Sequence, residues 1–219
     1  MATMTKAQKL AAQLDKPATK MGDIKKLGAE IKKDHALAME LWGTGLFHAR
    51  LLATLIFDKK LLTQEAIDRL AADLRSHENS ERNNISEWLL ANQLMKDATL
   101  TALVEGWQDA KSPTLRRLFW YHQARLRWTG QALKNPPANT EALVAELEKT
   151  MGKAEPEVQW GMNFCACWIA LHEEKFRPRV LKLGEKLGLY KDDLVPRNCT
   201  PAYLPEFVRV ELAKRTRHA

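Results

Sequence analysis

Arginines alternate with large rings between residues 112 and 130, which read SPTLRRLFWYHQARLRWTG. At 100° per residue, Leu115, Leu118, Phe119, His122 and Leu126 fall on one side of a helix. Arg116, Arg117, Trp120, Tyr121, Arg127 and Trp128 fall on the other. A solvated helix face usually carries lysine and glutamate without rings. Guanidinium groups beside flat rings suit a phosphate backbone with its sugars or nucleobases. The same pattern also describes a helix buried on both sides, whose arginines reach to the surface or pair with acids. The stretch by itself leaves both readings open. Ser112 followed by Pro113 marks its start, because proline at the first helical position forfeits no hydrogen bond.

Other kinds of chemistry find little support. Cys165 and Cys167 are two residues apart, so on a helix they point about 200° apart and do not grip one metal together. They read as core thiols, and with Cys199 they make three, an odd number that argues for a reducing compartment. The six histidines, His35, His48, His77, His122, His172 and His218, are scattered without metal-ligand spacing. No Ser-His-Asp arrangement, glycine-rich phosphate loop or zinc motif is visible, and neither a metal nor a cofactor is expected. The net charge of +7 and pI near 9.3 favour an acidic partner. The N-terminus lacks an apolar signal core and no apolar run is long enough to span a bilayer, so a cytoplasmic monomer without membrane contact is expected.

The elements that must position these residues are helical throughout. Residues 6–14 form a short helix, and residues 24–41 a helical pattern broken near Asp34 and stopped by Gly43 and Gly45. The apolar helix 46–58 carries one arginine, Arg50. Thr63 opens a helix to about Leu74. The polar run 75–84 reads as a loop before an apolar helix at 85–96 that bears Glu87, and a further helix covers 97–108. Asn135, Pro136 and Pro137 break the chain. Helices follow at 140–151, 156–172 and 176–187, and the remainder reads as an ordered loop and tail.

No segment alternates as a strand does, so the fold class is all-α. Arg50, the region of Asn84, Arg117 and Trp160 each lie near the start of the second helix of a pair, about 34, 33 and 43 residues apart. That period belongs to helical repeats, which bury a core only by stacking and leave a surface lined by equivalent helices. Arg50 and Arg117 would share that surface, making it a basic concave groove. The expected organisation is an N-terminal helix or arm at 1–20, a repeat domain at 21–187, and an ordered loop and tail of the same domain at 188–219.

The segment ALAMELWGTGLFHARLLATLIFD resembles the first clear repeat of the HEAT-like DNA alkylation repair family. LKLGEKLGLYKDDLVPRNCTPAY resembles that family's end segment, with the same order of tyrosine, valine-proline and cysteine-threonine. The resemblance covers residues 21–205 and is most specific in the C-terminal piece. It implies a C-shaped solenoid of HEAT-like repeats, an α-α superhelix, holding duplex DNA in its concave face. Active members are alkylpurine DNA glycosylases that excise N3- or N7-alkylated purines, where a carboxylate stabilises the sugar cation and positions water.

On this sequence the family's phosphate-binding arginine falls on Arg117. The position of its catalytic aspartate falls on Glu87, with Asn83 replacing a tryptophan four residues earlier, or on Glu81, with His77 replacing it. The second family tryptophan falls on Phe164. A glutamate is one methylene longer than aspartate, and an ångström of misplacement costs about 100-fold in rate. The resemblance therefore implies a divergent member that binds DNA with weak or absent excision; to Arg117 and Phe164 the basic, ring-bearing helix faces add Arg116, Arg50, Arg127 and Trp120 as expected DNA-binding residues. An active glycosylase using Glu87 or Glu81, and a helical scaffold binding a protein or peptide, are the alternatives.

Overall fold

The structure, a computed structural model, describes residues 4–16, 18–129 and 137–216. Among these residues there are twelve α-helices and no strand. In chain order they are α1 (Lys6–Leu14), α2 (Met21–Ile31), α3 (His35–Gly43), α4 (Phe47–Ile56), α5 (Gln64–Asp73) and α6 (Asn79–Asn92). There follow α7 (Ala98–Glu105), α8 (Pro113–Trp128), α9 (Thr140–Thr150), α10 (Pro156–His172), α11 (Arg177–Leu187) and α12 (Leu204–Thr216). Single 3-10 turns follow α4, α5, α6, α7 and α9. Of the expected break at Asn135, Pro136 and Pro137, the first two residues lie outside the described residues, as do Gly130 and His218.

Side-chain caps set several helix starts. Thr5 and Gln8 form a reciprocal capping box on α1. Asp34 accepts from the Leu37 amide at 3.1 Å and starts α3 where the helical pattern breaks. Thr63 and Asp97 do the same for α5 and α7.

Two sequence expectations are corrected. The run 75–84 is not a loop: α6 begins at Asn79, six residues before the apolar pattern at Ile85. Its opening turns are held by polar side chains. Arg82 binds the Asn79 carboxamide and the His77 carbonyl, and His77 Nδ1 lies 2.7 Å from Glu81 Oε2. A hydrophobic periodicity cannot report turns built this way. The segment after Gly188 is not all loop, because α12 follows at Leu204. Leu204, Phe207 and Val208 bury one face at helical spacing against α10 and α11, and Pro205 sits in the first turn.

The chain divides into two compact units, Met1–Leu118 and Phe119–Ala219. In the first, α4 packs on α2, α3 and α6. Its sequence FHARLLATLI is apolar nearly all round, so seven of its ten residues are buried. Gly28 of α2 permits the approach to α4: a Cβ there would lie 2.7 Å from Leu55 Cδ1 and 3.0 Å from Leu55 Cβ. Gly28→Ala is therefore expected to lower stability by about 1–3 kcal/mol through overpacking. The denaturant midpoint checks this, and an unchanged midpoint would mean that Leu55 turns aside. In the second unit α10 plays the central part, packed by α9, α11 and α12.

Candidate functional site

Glu87 and Arg117, assigned separate roles by the family pattern, meet in the first unit. Glu87 is the ninth residue of α6, well inside the helix rather than at its N-terminus. Arg117 stands one turn into α8. Arg117 Nη2 donates to Glu87 Oε1 in an ion pair. The arginine side chain is 1% exposed and that of Glu87 26%, so the carboxylate is the part of the pair that solvent or a ligand reaches. Burial strengthens a charge-assisted bond of this kind, and it makes removal of one partner costly.

The alternative pair, Glu81 and His77, is also in contact, one turn apart at the start of α6. Its carboxylate is more open, with the Glu81 side chain 40% exposed.

The other arginines of the expected binding set take several positions. Arg50 is buried, and its guanidinium donates to the Trp42 carbonyl at 3.1 Å, the Asp73 carbonyl at 2.9 Å and Ser76 Oγ at 3.2 Å. It also lies over the Trp42 ring, whose indole N–H donates to Asp73 Oδ2. Burial lowers the Arg50 pKa and nearby Asp73 opposes that shift. Arg50 thus ties α4 to α3 and α5 from inside. Arg127, in the second unit, is fully buried and bonds Glu173, the Gln123 carbonyl and Thr140. Arg116 is half-buried and donates to the Ala110 and Lys111 carbonyls before α8. Trp120 is buried, its ring edge-on to Phe119. Phe164 is half-buried between Tyr121 at 5.5 Å and Trp160 at 5.1 Å, both stacked.

Sequence reasoning passed over the longer aromatic array to which Phe164 belongs. Trp160, Phe164, Trp168 and His172 recur every four residues along α10 and so share one face. The spacing is visible in the sequence, but the apolar residues between them and the two cysteines obscured it. Beside this array, Trp160, Asn163, Phe164, Cys167 and Phe207 line a pocket of about 120 Å³ together with residues 200–202. Asn163 Nδ2 donates to the Ala202 carbonyl and ties that segment to α10. Cys165 and Cys167 are buried in α10; burial pushes the Cys165 thiol up to about 12 and raises that of Cys167 as well. Neither is a thiolate at neutral pH, which leaves them without nucleophilic character.

Among the described residues no group of three or more His, Cys, Asp or Glu is arranged to hold a metal ion, and no helix is long and apolar enough to cross a membrane.

Residues 11–168 match the family described as DNA alkylation repair enzyme. No curated protein matches the chain. Among solved structures, one described as "A new family of proteins related to the HEAT-like repeat DNA glycosylases with affinity for branched DNA structures" is similar at a TM-score of 0.70 and 16% identity. That similarity covers 95% of this chain and 88% of the other. At this identity it shows the fold, which is a HEAT-like helical repeat.

Proposed function

From the premise that this chain belongs to the DNA alkylation repair enzyme family, matched over residues 11–168, we propose that it binds the phosphate backbone of DNA through a basic groove, with weak or absent base excision. The Glu87–Arg117 pair carries this reading. Excision of an alkylated purine needs a carboxylate whose charge is available to the developing sugar cation. Here that carboxylate is glutamate, and a buried guanidinium already binds it. The indole that would flank it is replaced by Asn83.

The Arg117 side chain is 1% exposed, so a phosphate contact requires its guanidinium to turn outward. Arg116, Phe164 and the surface lysines supply the more open contacts, and the net charge of +7 supports a polyanionic partner. The similar solved structure is described as having affinity for branched DNA, which places branched duplexes among the substrates to try first.

Single-turnover excision on duplexes carrying 7-methylguanine or 3-methyladenine, beside binding at varied salt, tests the proposal. Expected are no base release above the spontaneous rate, and an affinity that falls linearly on a log-log salt plot. Release abolished by Glu87→Gln would instead establish a glycosylase. A flat salt plot would remove DNA as the partner. Arg117→Ala is expected to weaken binding alike across sequences, and a salt slope reduced by about one would assign it a phosphate.

A further inference from the structure

From Trp160 to His172, the residues of α10 that are not buried are Trp160, Phe164, Trp168 and His172. The more open face of this helix is therefore made of rings, where a solvated face would carry charged or amide side chains. Beyond Phe164 the array continues to the end of α10 and onto α8. Trp168 stacks on His172 at 5.6 Å and on Trp128 at 6.0 Å, with interplanar angles of 29° and 22°. Phe164 meets Trp128 edge-on at 6.4 Å.

Trp128 is the last residue of α8 and 48% exposed, whereas the other six tryptophans are buried or half-buried. Leaving so much indole in water forgoes hydrophobic stabilisation. It is nevertheless held in one orientation, with Trp168 beneath it and Phe164 at its edge.

One cation lies over this indole, and others stand at the far end of the array. Arg125 lies 5.4 Å from the Trp128 ring centroid, and its Nε has no hydrogen-bond partner among the described residues. Arg215 Nη2 lies 2.8 Å from His172 Nε2, at the far end of the array, and the neighbouring Lys214 is exposed. His172 is the acceptor in that contact. Burial, with Arg215 and Arg127 nearby, holds its pKa down to about 4, so the ring is neutral at pH 7 and does not repel Arg215. The adjacent carboxylates are already matched, Glu173 by Arg127, Glu174 by Arg177 and Glu211 by Lys214.

We propose that Trp128, backed by Trp168 and with Arg125 against its ring, is a stacking platform for the unpaired bases of a single-stranded DNA segment, with Arg215 at the far end of the same aromatic array. The proposal rests on the reading of the chain as a DNA-binding protein and names the form of DNA that this surface takes. An exposed ring with a cation against it, and more at the end of the array, matches a polyanion whose flat faces are accessible. In an intact duplex those faces are hidden inside the stack, while an unpaired strand at a gap, flap or branch presents them. Stacking on an aromatic side chain accepts any base, because every base has a π face.

The test uses the full chain and fluorescence anisotropy with two labelled probes, an oligothymidylate of about 12 nucleotides, within the footprint usual for such surfaces, and a blunt duplex. Trp128→Ala is expected to weaken oligothymidylate binding by about 10-fold and duplex binding by less than about 2-fold, with Trp128→Phe retaining most of the affinity. Equal losses on both probes, or none on either, would overturn the platform. A wild-type chain that binds the duplex in a salt-dependent way but not the oligothymidylate overturns the platform and leaves the DNA-binding reading standing; binding to neither probe overturns both. Should the alanine variant fold poorly, Arg125→Gln decides: a lower salt slope on the oligothymidylate by about one is expected, and an unchanged slope counts against the platform.

Discussion

Replacing Arg127 by alanine is expected to lower the stability of the second unit by about 3–5 kcal/mol, the range for deleting one member of a buried ion pair. The guanidinium has no exposed surface and uses all three of its nitrogens. Nε donates to Glu173 Oε1 at 2.6 Å, Nη1 to the Gln123 carbonyl at 2.8 Å, and Nη2 to Thr140 Oγ1 at 2.9 Å. These partners belong to the body of α8, the first residue of α9 and the C-cap of α10. Truncation would leave Glu173, whose side chain is 20% exposed, as a largely buried charge without its cation.

Arg127→Lys keeps the charge but cannot make three directed bonds in a plane, so it should recover part of the loss. Glu173→Gln keeps an acceptor and removes the charge, and should cost less than the alanine change. Urea unfolding curves for the three variants check this order. If Arg127→Ala unfolded at the wild-type midpoint yet bound DNA less well, the arginine would be a ligand contact rather than a structural centre.

Arg127 also illustrates what the sequence made legible. Helical spacing located most of the helices because their apolar faces are periodic: α1 spans the residues expected, and α8 and α10 begin at their prolines. The start of α6 and the whole of α12 escaped for a common reason. Polar contacts, or a few buried residues after a long polar stretch, hold them, and neither leaves a sustained apolar period.

At the candidate site, residue type revealed charge but not its direction. The buried reading of the arginine-rich helix was open from the start. On that helix Arg127 is buried against a partner 46 residues away, Glu173, and on α4 Arg50 is buried against the Asp73 carbonyl 23 residues on, contacts that residue type alone does not announce. Glu87 and Arg117 were each marked by the family pattern, and only the fold brought them together, 30 residues apart in sequence. The aromatic array on α10 was written at intervals of four. It went unread because apolar and aromatic residues in one helix look alike until burial separates them.

A fall in pH below 6.5 is expected to destabilise the second unit through a buried histidine. His122 lies fully buried on α8, and burial, assisted by the nearby Arg125 charge, holds its pKa down to about 4 from an ordinary value of 6.5. Between those two values the unfolded chain takes up a proton that the folded chain refuses. The unfolded state is therefore favoured as pH falls, and the stability due to His122 is fully present above pH 6.5 and lost progressively toward pH 4. One group shifted over that range contributes about 3 kcal/mol. The half-buried His172, also held near 4, adds a smaller share in the same direction.

Glu148 and Glu211 have pKa values below the ordinary 4.5, so the stability they contribute is present above that value and is lost as pH falls through it, below the histidine interval. The slope between pH 6.5 and 5 is consequently a histidine signature. His122→Leu should flatten most of it, whatever the variant's stability at neutral pH. Urea midpoints at half-unit pH steps measure the slope directly. A wild-type midpoint independent of pH across that interval would mean that His122 titrates as freely in the folded chain as in the unfolded one.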